Sequence, residues 1–326
     1  MAATSRTTTT ENWAAATGGN EAHATTEGYK AHATTAGKWA NAATTGHGAN
    51  AATTGYGAHA ATTGYKAHAT TGGNEAHATT EGYKAHATTA GDMASAATTG
   101  HGANAATGGY GAHAATTGHG AHATTTGHGA HATTTGEWAH ATTGGDGASA
   151  ATTGYKASAT TGGDMASAAT TGYKASATTT GHGAHATTTG HGAHATTTGD
   201  GAIACALGDG CWARAGESGM VILIDRTGDR HRALVAYPGE DGIEPGRWCC
   251  IEDGRIVQPA DVLDIDRRGY VLRYVDGRYV AGCREFDTAN EAVAHWSDPG
   301  HPDPESARIL REAVQRHHAA TEGASS

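Results

Sequence analysis

A glycine returns every nine residues from Gly19 to Gly208 without one slip in register. A globular core has no use for such regularity, so the chain is a repeat architecture before it is anything else. The unit is plain in His122-Ala-Thr-Thr-Thr-Gly-His-Gly-Ala130, followed at once by His131-Ala-Thr-Thr-Thr-Gly-His-Gly-Ala139. Counting forward from each glycine, the third position is alanine from Ala22 to Ala202 and the fifth is alanine from Ala24 to Ala213. The seventh is threonine from Thr26 to Thr197. Between them stand His, Asn or Ser at the fourth position, Thr or Ala at the sixth, and Thr, Gly, Ala or Glu at the eighth. Constant odd positions and variable even ones make a period of two, the mark of a β-strand with one face in and one out. The inward set Ala-Ala-Thr is small, so two walls must approach more closely than the ~10 Å usual between packed sheets. Threonine inside implies a hydroxyl ladder, because a buried hydroxyl needs a partner. The glycine and the two residues after it supply the turn.

One coil of such a rod could hold one strand or two. The residue after glycine decides, because alternate repeats differ in chemistry. One set reads Tyr29, His47, Tyr65, Tyr83, His101, His119, Glu137, Tyr155, Tyr173 and His191. The other reads Asn20, Lys38, Tyr56, Asn74, Asp92, Tyr110, His128, Asp146, Asp164, His182 and Asp200. All five Tyr-Lys pairs fall in the first set, and Asn20, Asn74, Asp92 and Asp164 fall in the second. Two strands per coil, 18 residues, with chemically different edges is therefore the expected geometry. The 189 residues from Gly19 to Gly208 then make 10.5 coils, and at ~4.8 Å between strands a rod roughly 50 Å long.

Composition narrows the classes. Of 326 residues 50 are glycine and one, Phe286, is phenylalanine, which would suggest disorder were the patterning not so strict. Collagen is excluded, because the glycine period is nine and proline is scarce before Pro238. A net charge of -10 gives no basic footprint for nucleic acid. No apolar run reaches spanning length, so no membrane insertion is expected. The first residues form a Thr-rich tail without a signal-peptide core, which points to cytoplasmic synthesis. Five cysteines (Cys205, Cys211, Cys249, Cys250, Cys283) lie outside the regular repeats without metal-ligand spacing, so reduced thiols are the default.

The ends need caps. Trp13 stands where the first inward alanine should be. At the other end Ile203, Leu207 and Trp212 bring apolar side chains to a coil that otherwise repeats Ala, Thr and His. These four are the expected cap interface. The reading is an all-β two-sheeted β-solenoid (a β-roll) over 11–215, after a tail at 1–10, followed by a small α+β region over 216–326. That region divides into submodules at 216–260 and 261–326. Met220–Asp225 and Arg232–Tyr237 read as strands around a turn at Gly228-Asp229, and Trp248–Ile251 with Arg255–Val257 as a hairpin. Residues 269–283 read as another hairpin, turning at Asp276-Gly277. Thr288-Ala-Asn-Glu291 is a capping box opening a helix to Trp296, and Pro304 begins a second helix.

Gly210-Cys-Trp212, Ile243-Glu-Pro-Gly-Arg-Trp248 and Glu252-Asp-Gly-Arg-Ile-Val257 together resemble the ends of a group of phage and bacterial repeat proteins. In these, Ala/Gly-rich coils lead into a small uncharacterised domain. Tyr279-Val-Ala-Gly-Cys-Arg284 through Glu291–Trp296 resembles a second small module common in phage proteins. The likeness implies a virion or surface component and carries no catalytic residues. The rod is also similar to the alanine-rich β-rolls of trimeric adhesin heads, whose repeats are longer and hold aliphatic core residues.

Several chemistries compete with the plain rod. The Tyr/His edge with its five lysines (Tyr29-Lys30, Tyr65-Lys66, Tyr83-Lys84, Tyr155-Lys156, Tyr173-Lys174) could hold a glycan or an anionic polymer by stacking and charge. Histidines one coil apart (His59 and His77, His68 and His86, His113 and His131, His122 and His140) could share a transition metal, but a polar ladder is the expected reading. Outward rows Thr124/Thr126, Thr133/Thr135, Thr178/Thr180, Thr187/Thr189 and Thr196/Thr198 raise ice binding, though they divide between two faces. The turns lack the regular aspartate of calcium-binding rolls. No catalytic constellation, metal site or cofactor site is expected, and the partner reading is self-association or a virion or surface component.

Overall fold

Each nine-residue unit folds into one short strand and one tight turn, as in His59–Thr63 and His68–Gly72. The computed structural model describes residues 5–9, 14–226, 230–240, 242–266, 270–281, 284–298 and 303–323. Successive strands fall in opposite walls, and strands 18 residues apart pair in parallel without slippage. His59 lies beside His77 and Thr62 beside Thr80 in one wall, His68 beside His86 in the other. The result is a solenoid of about 12 turns built from a 14-stranded sheet and a 12-stranded sheet. The two-strand coil is the correct one.

The faces also fall as the period demands. Ala132 and Thr134 are buried while His131, Thr133 and Thr135, which alternate with them, are exposed. Gly64 shows why glycine is obligatory at each corner. Its φ of +147° is foreign to L-residues, and a Cβ there would land on the Gly46 carbonyl of the preceding coil. The third residue of the same turn, Lys66, has φ 52°, as a type II turn requires. The Gly64 and Lys66 N–H groups donate to Glu81 and Tyr83 of the next coil at 2.8 and 2.9 Å, so the turns join the ladder.

The inward hydroxyl ladder does not form. Thr26, Thr62, Thr98, Thr134 and the inward threonines of both sheets are buried, and no protein group lies within hydrogen-bonding reach of their Oγ1 atoms. Thr116 and Thr134 are register partners, yet no hydroxyl–hydroxyl bond joins them. Such a bond does form outside, where Thr189 donates to Thr171 at 3.1 Å.

Past residue 215 the longer sheet runs on. Met220–Asp225 adds in parallel to Ile203–Ala206, and Arg232–Ala236 then turns back antiparallel. The alternation in Met220-Val-Ile-Leu-Ile points Val221 and Leu223 inward, where both are fully buried. With Cys211, Ala236 and Cys249 they join the alanine core, and Ile251 and Ile256 of the next hairpin pack against it. The remainder is a four-stranded sheet (Val262–Ile265, Val271–Val275, Arg278–Ala281, Arg284–Phe286) with helices α1 (Ala289–Trp296) and α2 (Pro304–Gly323). They share a second core around Leu272, Tyr279, Trp296, Leu310 and Val314. Thr288 caps α1 by accepting from the Glu291 N–H at 3.2 Å. Trp13, Cys283 and the turn at Gly228-Asp229 lie outside the described residues.

Candidate functional site

Turns that leave the longer sheet collect along one edge of the rod. There Tyr29, His47, Tyr65, Tyr83, His101 and His119 form a continuous stack, with centroids 4.7 to 5.3 Å apart and planes within 24°. A second run holds Tyr155, Tyr173 and His191. Each lysine that follows a tyrosine takes the left-handed conformation, which costs about 1–2 kcal/mol and swings its ammonium over the tyrosine ring. The Nζ-to-centroid distances are 5.4 Å for Lys30, 5.4 Å for Lys66 and 5.5 Å for Lys84. The Tyr-Lys pairs thus share one edge. Within a run, however, ring faces are turned to one another, and what meets solvent is ring edges, phenol hydroxyls, imidazole nitrogens and ammoniums.

The opposite edge explains the segregation of Asn and Asp. Asn74 Oδ1 accepts the Asp92 N–H at 3.1 Å, Asp92 that of Tyr110 at 3.0 Å, and Asp164 that of His182 at 2.9 Å. These side chains bind one coil's turn to the next.

On the flat faces the four expected histidine pairs are stacked, 4.9 to 5.0 Å apart. Partial burial, then the neighbouring imidazole, holds the pKa of His59, His86 and His113 below the usual value. Among the described residues no three His, Cys, Asp or Glu side chains gather as a metal site would need.

The C-terminal region folds back over the outer face of the shorter sheet. Asp264, 3% exposed, anchors it by accepting from Arg214 at 3.0 Å, Arg316 at 2.8 Å and the Trp248 indole at 3.0 Å. Beneath lie Ser158, Ser176 and His194, all buried, at the position that holds exposed His68 earlier in the same column. His194 meets Trp248 edge-on at 5.9 Å. Burial, aided by the charges of Lys174 and Arg214, pushes its pKa down to about 3. Between α2 and the sheet runs a cleft of about 810 Å³, floored by Thr142, Thr160, Thr178 and Thr196 and walled by Arg308 and Glu312.

Tyr270 reaches the aromatic edge and lies over Lys156 at 5.0 Å and Lys174 at 5.7 Å. Two of the five Tyr-Lys pairs therefore serve an internal junction. Of the expected cap residues, Ile203, Leu207 and Trp212 are half-buried, and Trp212 packs against the Trp248, Val262 and Ile265 cluster. The full burial of Val221 and Leu223 was announced by strand alternation after Gly219. The docking face was announced by Ser158 and Ser176, the first consecutive pair in that column without a histidine or asparagine after Ala14.

Comparison with family models, with curated proteins and with solved structures finds no match. The likeness to phage and bacterial repeat proteins rests on the residues quoted above alone.

Proposed function

We propose that the chain is a non-enzymatic structural rod that holds its two ends a fixed distance apart, with the C-terminal region as its cap. The setting this reading fits is a virion or cell-surface component. The supporting observation is the register: from Ala14 to Arg214 strands in both sheets pair at 18-residue spacing with no bulge. Coils that contact only their neighbours make length a simple multiple of coil number. Removing 18 residues should shorten the rod by one strand spacing, ~4.8 Å, and leave both ends unchanged. Removing nine should exchange the sheets and disrupt the junction with the C-terminal region. Distances between spin labels near the two ends test this: shortening by whole coils supports a spacer, and unfolding on removal of one coil contradicts it.

Two ligand readings fare less well. Ice binding wants a flat array of paired threonines. Thr178 and Thr196–Thr198 line the cleft under α2, and on the open sheet Thr133/Thr135 and Thr187/Thr189 are separated by Ala151 and Ala169. Sugar stacking wants open ring faces, which the stacked runs do not offer. Thermal hysteresis and glycan-array binding should both be negative.

A further inference from the structure

The internal junction has a second, uncovered copy. Consecutive Tyr-Lys pairs occur twice along the aromatic edge, at Tyr155-Lys156/Tyr173-Lys174 and at Tyr65-Lys66/Tyr83-Lys84. The two sites share one geometry. Tyrosine rings are 5.6 Å apart at 5° in the first and 5.3 Å apart at 6° in the second. Lysine ammoniums stand 5.3 and 5.7 Å from their own rings in the first, 5.4 and 5.5 Å in the second. In the first site Tyr270 bridges both ammoniums, and Lys156 is 8% exposed. In the second both lysines are exposed.

The sites differ one coil earlier. Trp138 precedes the covered pair and its ring lies 4.7 Å from the Lys156 ammonium. Gly48 precedes the uncovered pair. Where the indole would be, a cleft of about 350 Å³ opens between Lys30 and Lys66, lined by His32, His47, Asn50 and His68. Two ammoniums, three imidazoles and an amide line this cleft, and no carboxylate does. Donors of that kind suit an anion.

We infer that the stretch from Lys30 to Lys84 is a binding site for an aromatic anion. The ring lies across Lys66 and Lys84 as Tyr270 lies across Lys156 and Lys174, held by cation–π attraction. The anionic group enters the cleft beside Gly48, between Lys30 and Lys66. A second copy of the C-terminal region cannot fill the site as the first does, because His68 and His86 stand where Ser158 and Ser176 make room for it. The inference goes beyond the spacer reading and does not rest on it.

Phenyl phosphate, inorganic phosphate and phenol, titrated separately into the full chain and followed by calorimetry and amide chemical shifts, test it. Phenyl phosphate should bind saturably, at least ~10-fold tighter than either fragment, because ring and anion are held at once. Shifts should centre on His47, Tyr65 and Lys66. The double variant Lys66→Gly/Lys84→Gly should lose that preference while melting as the native chain does, since glycine already occupies the equivalent turns at Gly48 and Gly102. Lys38→Gly on the other edge should change nothing. Equal affinity for phenyl phosphate and inorganic phosphate would overturn the ring clamp. Unchanged binding in the double variant, or no saturable binding at all, would overturn the site.

Discussion

Replacing inward threonines by valine should stabilise the rod, against the usual rule that core substitutions destabilise. Thr116, Thr134 and Thr152 form three successive steps of one inward column, each 1–4% exposed and each with an unpartnered hydroxyl. A buried hydroxyl without a partner costs about 1–3 kcal/mol, and valine exchanges it for a methyl group, whose burial contributes ~0.8 kcal/mol. The methyl is slightly larger than the hydroxyl and the walls are close, so part of that gain is lost to crowding. A net gain of about 1–2 kcal/mol per site remains. In a nearest-neighbour rod whole-chain melting need not be two-state. Amide hydrogen exchange across residues 113–153 is the better assay, and ~1.4 kcal/mol appears there as a tenfold slowing. Faster exchange in Thr134→Val would refute the reasoning, since it would mean that the hydroxyls are hydrogen-bonded in solution.

Other outcomes follow from burial and charge. The folded pKa of His194, about 3, lies below the free value of ~6.5. Its contribution is therefore whole above pH 6.5 and is lost at about 1.4 kcal/mol per unit as pH falls towards 3. The shifts of His59, His86 and His113 have the same sign. Acid should loosen the C-terminal region from the sheet, seen as a change in Trp248 fluorescence, and His194→Leu should flatten that response; an unaltered profile in the variant would contradict it. Ala132→Leu should cost about 1–3 kcal/mol by overpacking, whereas His131→Leu beside it should be near neutral; equal melting of the two would reverse the inward and outward faces. Cys250, whose thiol burial and Glu252 push up to about 12, should resist alkylation in the folded chain, and so should Cys211 and Cys249, raised chiefly by burial; rapid native labelling of these three would contradict their placement.

The rod was legible in the sequence because its rules are local. Period two fixes the face of Ala132 and His131, and glycine period nine fixes the corner at Gly64. The contrast between Tyr29 and Asn20 edges fixes the coil at 18 residues. The hydroxyl ladder failed because a partner's presence was inferred from the need for one. Strand spacing alone does not decide it, since Thr171 and Thr189 bond across the same step; hydroxyl orientation, which sequence does not carry, leaves Thr116 and Thr134 unbonded. The placement of the C-terminal region was illegible for another reason. Its anchor joins Arg214, Asp264 and Arg316, residues far apart in the chain, and no periodicity links them. Ile203, Leu207 and Trp212 are apolar yet only half-buried, and the alternation in Met220-Val-Ile-Leu-Ile is the better guide to the fully buried Val221 and Leu223. The Tyr-Lys edge was visible from the start; that Tyr270 occupies part of it was not.

Paired cysteines test the two-sheeted coil most directly. His122 and His140 are register partners in the shorter sheet, about one strand spacing apart, within the Cα separation of ~4.4–6.8 Å that a disulfide tolerates. His131 belongs to the opposite sheet and points outward, away from both. In an otherwise cysteine-free chain, His122→Cys/His140→Cys should oxidise to an intramolecular disulfide nearly completely, and His122→Cys/His131→Cys should remain reduced. Equal yields, or a preference for the nine-residue pair, would contradict the 18-residue coil.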